Sequence, residues 1–157
     1  MRHALSLAAE AALHGEVPVG ACVVIDGTII AEGQNTRERE RDPCGHAELS
    51  AIRAAAQARG DWRLEGATVY VTLEPCAMCA GAMVLARIER CVYAARDPKG
   101  GFLGTLADLS AHPGLNHRFA VTGGVLEEDA SAQLKAFFAA LRARRTRANR
   151  VRPGQGS

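Results

Sequence analysis

Two β-rich segments, residues 67–73 and 91–95, are separated by an Ala-rich helical stretch over residues 76–86, and this order leaves few folds open. A strand–helix–strand crossover is right-handed and makes its two strands parallel. Pro75 suits the first turn of the intervening helix, where its missing N–H costs nothing. Upstream, residues 19–25 and 28–32 are also β-rich and are joined by Asp26-Gly27, the strongest short hairpin signal. The spacing therefore predicts a mixed sheet, with an antiparallel hairpin at one side and parallel strands beyond it.

Helical periodicity supplies the other layers. Ala4, Leu5, Ala8, Ala12 and Leu13 mark a first helix over residues 2–14, with Gly15 at its cap. Leu49, Ile52 and Ala56 mark a second over 46–58, after a polar loop spanning 33–45. A short helix near 106–109, a weak strand over 119–125 and a last helix from 128 to about 145 complete the pattern. Aromatic residues make up only 4% of the chain and Ala is abundant, so the helices are expected to pack closely on the sheet in an α/β fold. The 157 residues are read as one domain over 1–145 and a basic, disordered tail over 146–157.

The formal net charge of +2 is unevenly spread, because residues 142–152 hold six arginines and no acid. A basic cluster of this kind is the footprint of a phosphate-backbone contact or of a solvated tail. The five cysteines, with one Cys-x-x-Cys pair, point to metal or redox use rather than a disulfide framework. No apolar run approaches the ~18 residues of a membrane span, and no signal peptide is read, so a cytoplasmic protein without a membrane partner is expected.

The chemistry lies in His46-Ala47-Glu48 and, about 30 residues later, Pro75-Cys76-Ala77-Met78-Cys79. Cys76 and Cys79 are three residues apart and share a helical face, and a helix N-terminus favours the thiolate that a metal needs. Taken singly, His46 suits a helix cap, the cysteines a redox pair and Glu48 a surface acid. Taken together, two sulfurs and one imidazole suit zinc, and three protein ligands leave a fourth position for a reacting water. Two thiolates neutralise much of the metal's charge, so a base is needed beside that water, and Glu48 stands in place to move its proton. The set reads as the H-x-E and P-C-x-x-C pattern of zinc-dependent nucleobase deaminases. Cys44 could close the site as a fourth ligand but is read as a free thiol, and Cys22 and Cys91 as small core residues.

Longer stretches resemble the bacterial tRNA-specific adenosine deaminases, within the cytidine deaminase-like superfamily, from the first helix to about Arg145. They are Glu16-Val17-Pro18-Val19-Gly20-Ala21, His46-Ala47-Glu48, residues 70–83 around Cys76 and Cys79, Ala95-Arg96-Asp97, residues 112–118 (His-Pro-Gly-Leu-Asn-His-Arg) and Phe137-Phe138. The resemblance implies a homodimer of three-layer α/β/α subunits, each with a central mixed five-stranded sheet and one Zn2+. It also implies conversion of the wobble adenosine of an arginine tRNA to inosine, with the base flipped from the anticodon stem-loop into the zinc pocket. By position, Asn35 would bind the flipped nucleoside, Pro18 and Val19 would wall the pocket, and Asp97 would accept a 2′-hydroxyl hydrogen bond. Asn35 could instead cap a turn, and Asp97-Pro98 could be only a turn. Phe137 and Phe138 would offer apolar surface to splayed bases, one of them turned to the core, while Arg142, Arg144 and Arg145 meet phosphates. The zinc residues alone also fit a deaminase of a free nucleobase or nucleoside such as cytosine or guanine. An RNA-binding protein with a structural zinc is the non-enzymatic alternative.

Overall fold

The computed structural model describes residues 1–151. Its elements are α1 (Arg2–Leu13), β1 (Gly20–Ile25), β2 (Thr28–Gln34), α2 (Arg37–Glu40), α3 (Ala47–Arg59), β3 (Thr68–Leu73), α4 (Ala77–Leu85), β4 (Arg90–Ala95), β5 (Ala120–Thr122) and α5 (Glu127–Val151). The strands form one five-stranded sheet in the order β2-β1-β3-β4-β5. β1 pairs antiparallel with both β2 and β3, whereas β3, β4 and β5 run parallel. The mixed sheet and its flanking helices agree with the three-layer α/β/α expectation.

Asp26 and Gly27 both have positive φ, 50° and 74°, which lets a two-residue turn follow the twist of β1 and β2. α1 and α5 cover one face of the sheet, and α3 and α4 cover the other. Small residues set how closely these layers approach. A Cβ on Gly20 would overlap the backbone of α1 at Ala4 and Ala8, and one on Gly33 would overlap α3 at Ala47 and Ala51. The first turn of α3 therefore lies directly on β2, which carries Glu48 toward the end of the sheet where β1 begins. The core of this face is aliphatic and Ala-rich, with Val23, Val69, Val71, Met83 and Ile88 fully buried.

Three local expectations change. The polar segment before His46 contains the four-residue helix α2, which ends at Arg41 in the left-handed conformation (φ 53°). The helix expected near 106–109 does not form. There Leu103 and Asp108 make an isolated antiparallel bridge, and Asp108 Oδ1 accepts bonds from Ser110 N and Oγ. The last helix does not stop near Arg145 but continues to Val151, because the sequence up to that point is rich in helix formers and holds no Gly or Pro. The remainder of the basic tail, residues 152–157, lies outside the described residues.

α5 runs beside α1 in the same direction. Near its start Ala130 packs with Leu5, and the Gln133 side chain donates to the Leu5 carbonyl (3.1 Å). Further on, Phe137, Leu141 and Arg144 line a groove with Ala12, Leu13 and Gly15 at the end of α1. The arginines of α5 thus lie toward the end of the sheet at which β1 starts and β3 finishes.

Candidate active site

Two helix starts converge at that end. His46 is the N-cap of α3 and Cys76 the N-cap of α4, both in extended backbone, and Cys79 lies in the first turn of α4. The Nδ1 of His46 is 3.6 Å from Cys76 Sγ and 3.5 Å from Cys79 Sγ. Zinc bonds of ~2.3 Å to sulfur and ~2.0 Å to nitrogen at tetrahedral angles separate sulfur from nitrogen by about 3.6 Å, so the spacing fits the metal. Among the described residues, these three form the group that could hold a metal ion. Cys44 is not part of it, and its N–H is tied back to Asp42 Oδ1 (2.8 Å). The ligand count of three leaves the fourth tetrahedral position for water or substrate.

The three donors share protons. The Cys76 thiol is held down to about 3, first by its hydrogen bond with Cys79 and also by that with His46, against the opposing effect of burial. Cys79 is pushed up, by the same bond with Cys76 and by burial. His46 is held above its ordinary value, chiefly by Cys76. A divalent cation would displace these protons, because metal binding requires thiolates and a neutral imidazole. Burial pushes the Glu48 carboxyl up to about 7. A carboxyl poised near neutrality can both accept and return a proton.

His46, Glu48 and Cys76 line a cleft of about 160 Å³ together with Val17, Val19, Asn35, Arg37, Leu73, Glu74 and Asp97. Val17, Val19 and Leu73 give it apolar walls. Pro18, expected in the wall, is instead fully buried behind it, since alternate residues of this extended segment point opposite ways. Asn35 is bonded at both ends, its Nδ2 donating to the Val17 carbonyl (3.2 Å) and its Oδ1 accepting from Arg37 N (3.3 Å). An amide has two N–H groups and two oxygen lone pairs, so one of each is left for a base edge.

Residues 1–95 match the family model described as the cytidine and deoxycytidylate deaminase zinc-binding region. The chain is 51% identical over 150 residues to the tRNA-specific adenosine deaminase of Bacillus subtilis (strain 168), covering 96% of this chain and 93% of that protein. It belongs to the tRNA-specific adenosine deaminase family. The family member of Haemophilus influenzae (strain ATCC 51907 / DSM 11121 / KW20 / Rd) is 46% identical over 139 residues, covering 88% of this chain and 80% of its own. A solved structure from work on A-to-I editing by tRNA:A34 deaminases at the wobble position superposes with a TM-score of 0.82 at 42% identity, covering 85% of this chain and 97% of that one. The match to a zinc-binding deaminase region makes this a zinc enzyme, and His46, Cys76 and Cys79 fit the metal.

The other expected contact residues do not meet in this cleft. Phe137 and Phe138 pack edge to face, with centroids 5.5 Å apart and planes at 80°. Neither is core: Phe137 lines the α1–α5 groove and Phe138 is 40% exposed. Arg142, Arg144 and Arg145 are exposed on α5. Residues 112–118 are held to the protein surface by hydrogen bonds. His117 Nε2 bonds the Ile88 carbonyl (2.7 Å), Arg87 donates to the Asn116 carbonyl (3.0 Å) and Arg118 donates to the Pro113 carbonyl (3.3 Å).

Sequence reasoning missed Arg37 and two buried carboxylates, Glu16 and Glu74, which are 1% and 2% exposed. Glu16 accepts from the N–H groups of Glu38 (3.1 Å) and Arg39 (2.7 Å), so it holds α2, which carries Arg37 at the cleft. The available signal was an acid flanked by apolar residues or proline, in Glu16-Val17-Pro18 and Leu73-Glu74-Pro75. Such an acid is buried only when paired or hydrogen-bonded.

Proposed function

We propose that this deaminase converts the wobble adenosine of a tRNA anticodon loop to inosine, with an arginine tRNA as substrate by resemblance to the family. One observation carries the reading: His46 and Cys76 of the metal-ligand cluster line, with Glu48, a single cleft that Asn35 and Asp97 also line. The reaction is hydrolytic, adenosine and water giving inosine and ammonia. His46, Cys76 and Cys79 would hold the zinc, which when bound would supply an acidified water. Glu48 accepts one proton of the water and delivers it to the adenine ring nitrogen as C6 is attacked, then takes the second proton from the hydroxyl added at C6 and passes it to the departing amine, leaving the C6 carbonyl of inosine. Asn35 holds the flipped base through its free N–H and lone pair. Val17 and Val19 flank the base with apolar surface, which keeps bulk water from the Glu48 carboxyl.

Asp97 faces the sugar edge, where a carboxylate accepts a 2′-hydroxyl and favours RNA over DNA. The remainder of the loop runs over the surface toward Phe137, Phe138, Arg142, Arg144 and Arg145, supported by the parallel course of α1 and α5. Unstacked bases meet the exposed aromatic surface, and the guanidinium groups meet phosphates. The enzyme works as a homodimer in the cytoplasm, with one zinc per subunit. Among the described residues no helix is long and apolar enough to cross a membrane.

The test is inosine formation by the zinc-loaded protein on an anticodon stem-loop carrying wobble adenosine, beside free adenosine, cytidine, cytosine and guanine. Conversion of the stem-loop alone is the expected result. Turnover of a free base with the stem-loop untouched would overturn the substrate and keep the chemistry.

A further inference from the structure

The Glu74 carboxylate lies inside the protein with no cationic partner among the described residues. Its charge is met by four donors from one surface loop. Oε1 accepts from Leu103 N (3.2 Å) and Thr105 N (3.1 Å), and Oε2 accepts from Asp97 N (3.1 Å) and Thr105 Oγ1 (2.5 Å). The loop is fitted to this oxygen pair, since a Cβ on Gly101 would overlap the carboxylate. Glu74 itself is anchored at the end of the sheet, where its N–H donates to the Ala95 carbonyl (2.8 Å). It therefore joins a rigid strand end to a segment with little regular structure of its own.

The same loop carries Asp97 at the cleft. Asp97 is fixed twice, by its N–H to Glu74 and by its Oδ1, which accepts from Lys99 N (2.9 Å) and Gly100 N (3.1 Å). Oδ2 is left without a hydrogen-bond partner among the described residues. We infer that Glu74 is a positioning residue for substrate binding: it holds the 97–105 loop on the sheet so that the free Asp97 oxygen faces the incoming nucleotide. The inference rests on the proposed contact of Asp97 with substrate.

Glu74→Gln isolates the decisive bond. The amide oxygen keeps Leu103 N and Thr105 N, and the NH2 group donates to the Thr105 hydroxyl, which can turn to accept it. Only Asp97 N–H then loses its partner, facing another donor. The reverse amide orientation is worse, because it sets NH2 against two backbone N–H groups. A loop held less firmly weakens ground and transition states alike, so the loss falls on KM.

The experiment is steady-state inosine formation on the stem-loop by zinc-loaded wild type, Glu74→Gln, Asp97→Ala and the double variant, with zinc content measured for each. Glu74→Gln is expected to raise KM about tenfold, the scale of one buried group left unpaired, with kcat and zinc content nearly unchanged. In the Asp97→Ala background its effect is expected to shrink to less than about twofold, as for residues acting through one contact. An equal KM effect in both backgrounds, or a loss confined to kcat or to zinc, would overturn the positioning role. Thr105→Val removes one donor from the same oxygen and serves as a second variant, with a smaller KM effect and the same dependence on Asp97. If Asp97→Ala alone leaves KM unchanged while Glu74→Gln raises it, the Asp97 contact fails and the route through it fails with it. Failure of wild type to convert any stem-loop would instead reject the substrate.

Discussion

Nδ1 of His46 and Sγ of Cys79 are 3.5 Å apart although 33 residues separate them in the chain. Neither residue needs the other to form its helix, so the spacing is imposed by the way α3 and α4 share one face of the sheet. A site built in this way is held by the fold and is completed by the metal.

Cys76→Ala is therefore expected to fold and to lose its zinc. The Cys76 side chain is half-buried outside the aliphatic core, so circular dichroism should be unchanged. Metal affinity should fall by more than about 100-fold, the upper end for losses of merely supporting groups. Titration with a zinc chelator during activity assays checks this, and an active, zinc-loaded variant would exclude Cys76 as a ligand.

Glu48 should destabilise the zinc-free protein at neutral and alkaline pH. Its folded-state value, about 7, lies above the ordinary 4.5, so the folded state binds the proton more tightly than the unfolded state. Stability is then fully present below pH 4.5 and lost as pH rises toward 7 and beyond. In chelator, Glu48→Gln is expected to exceed wild type by up to about 3 kcal/mol at pH 8, with the difference vanishing near pH 4. Urea melts at the two pH values measure it.

Gly33→Ala tests the close approach of α3 to β2. The added methyl overlaps the backbone at Ala47 and Ala51, which cannot turn aside as a side chain could. A loss of about 1–3 kcal/mol is expected from overpacking. Activity should fall with it, because the displaced turn carries Glu48. Urea unfolding and steady-state assays on the same sample report both losses.

Neutralising Arg142, Arg144 and Arg145 together should weaken stem-loop binding and flatten its dependence on salt. Every phosphate left without its guanidinium lowers the slope of log K against log salt by about 0.7 for a single strand. An unchanged slope would remove this part of α5 from the RNA surface.

Much of this was legible in the amino-acid order because it depends on neighbours in the chain. Asp26-Gly27 specifies its own turn, β-rich runs on either side of an Ala-rich helix specify β3 and β4, and Cys76 and Cys79 meet because a helix turn brings them together. The parts that were not legible depend on distant partners. α2 is held by Glu16, which bonds to residues 22 and 23 positions further on. The region after Gly101 follows Glu74 and a bridge between Leu103 and Asp108 rather than its own weak helical pattern. Pro18 is fully buried while Val17 and Val19 line the cleft, an assignment of faces that depends on what packs around the segment and not on its own sequence. Phe137 rests on the end of α1, a contact that helical periodicity could not distinguish from core.

Glu48 is proposed to move the proton at a metal site built by His46, Cys76 and Cys79. Single-turnover inosine formation by Glu48→Gln, with zinc content and stem-loop affinity determined on the same preparation, tests it most directly. The expected result is one zinc per chain, affinity within a few-fold of wild type and a rate lower by at least about 100-fold, the contribution of a positioned acid–base group. Turnover close to wild type with zinc in place would contradict it.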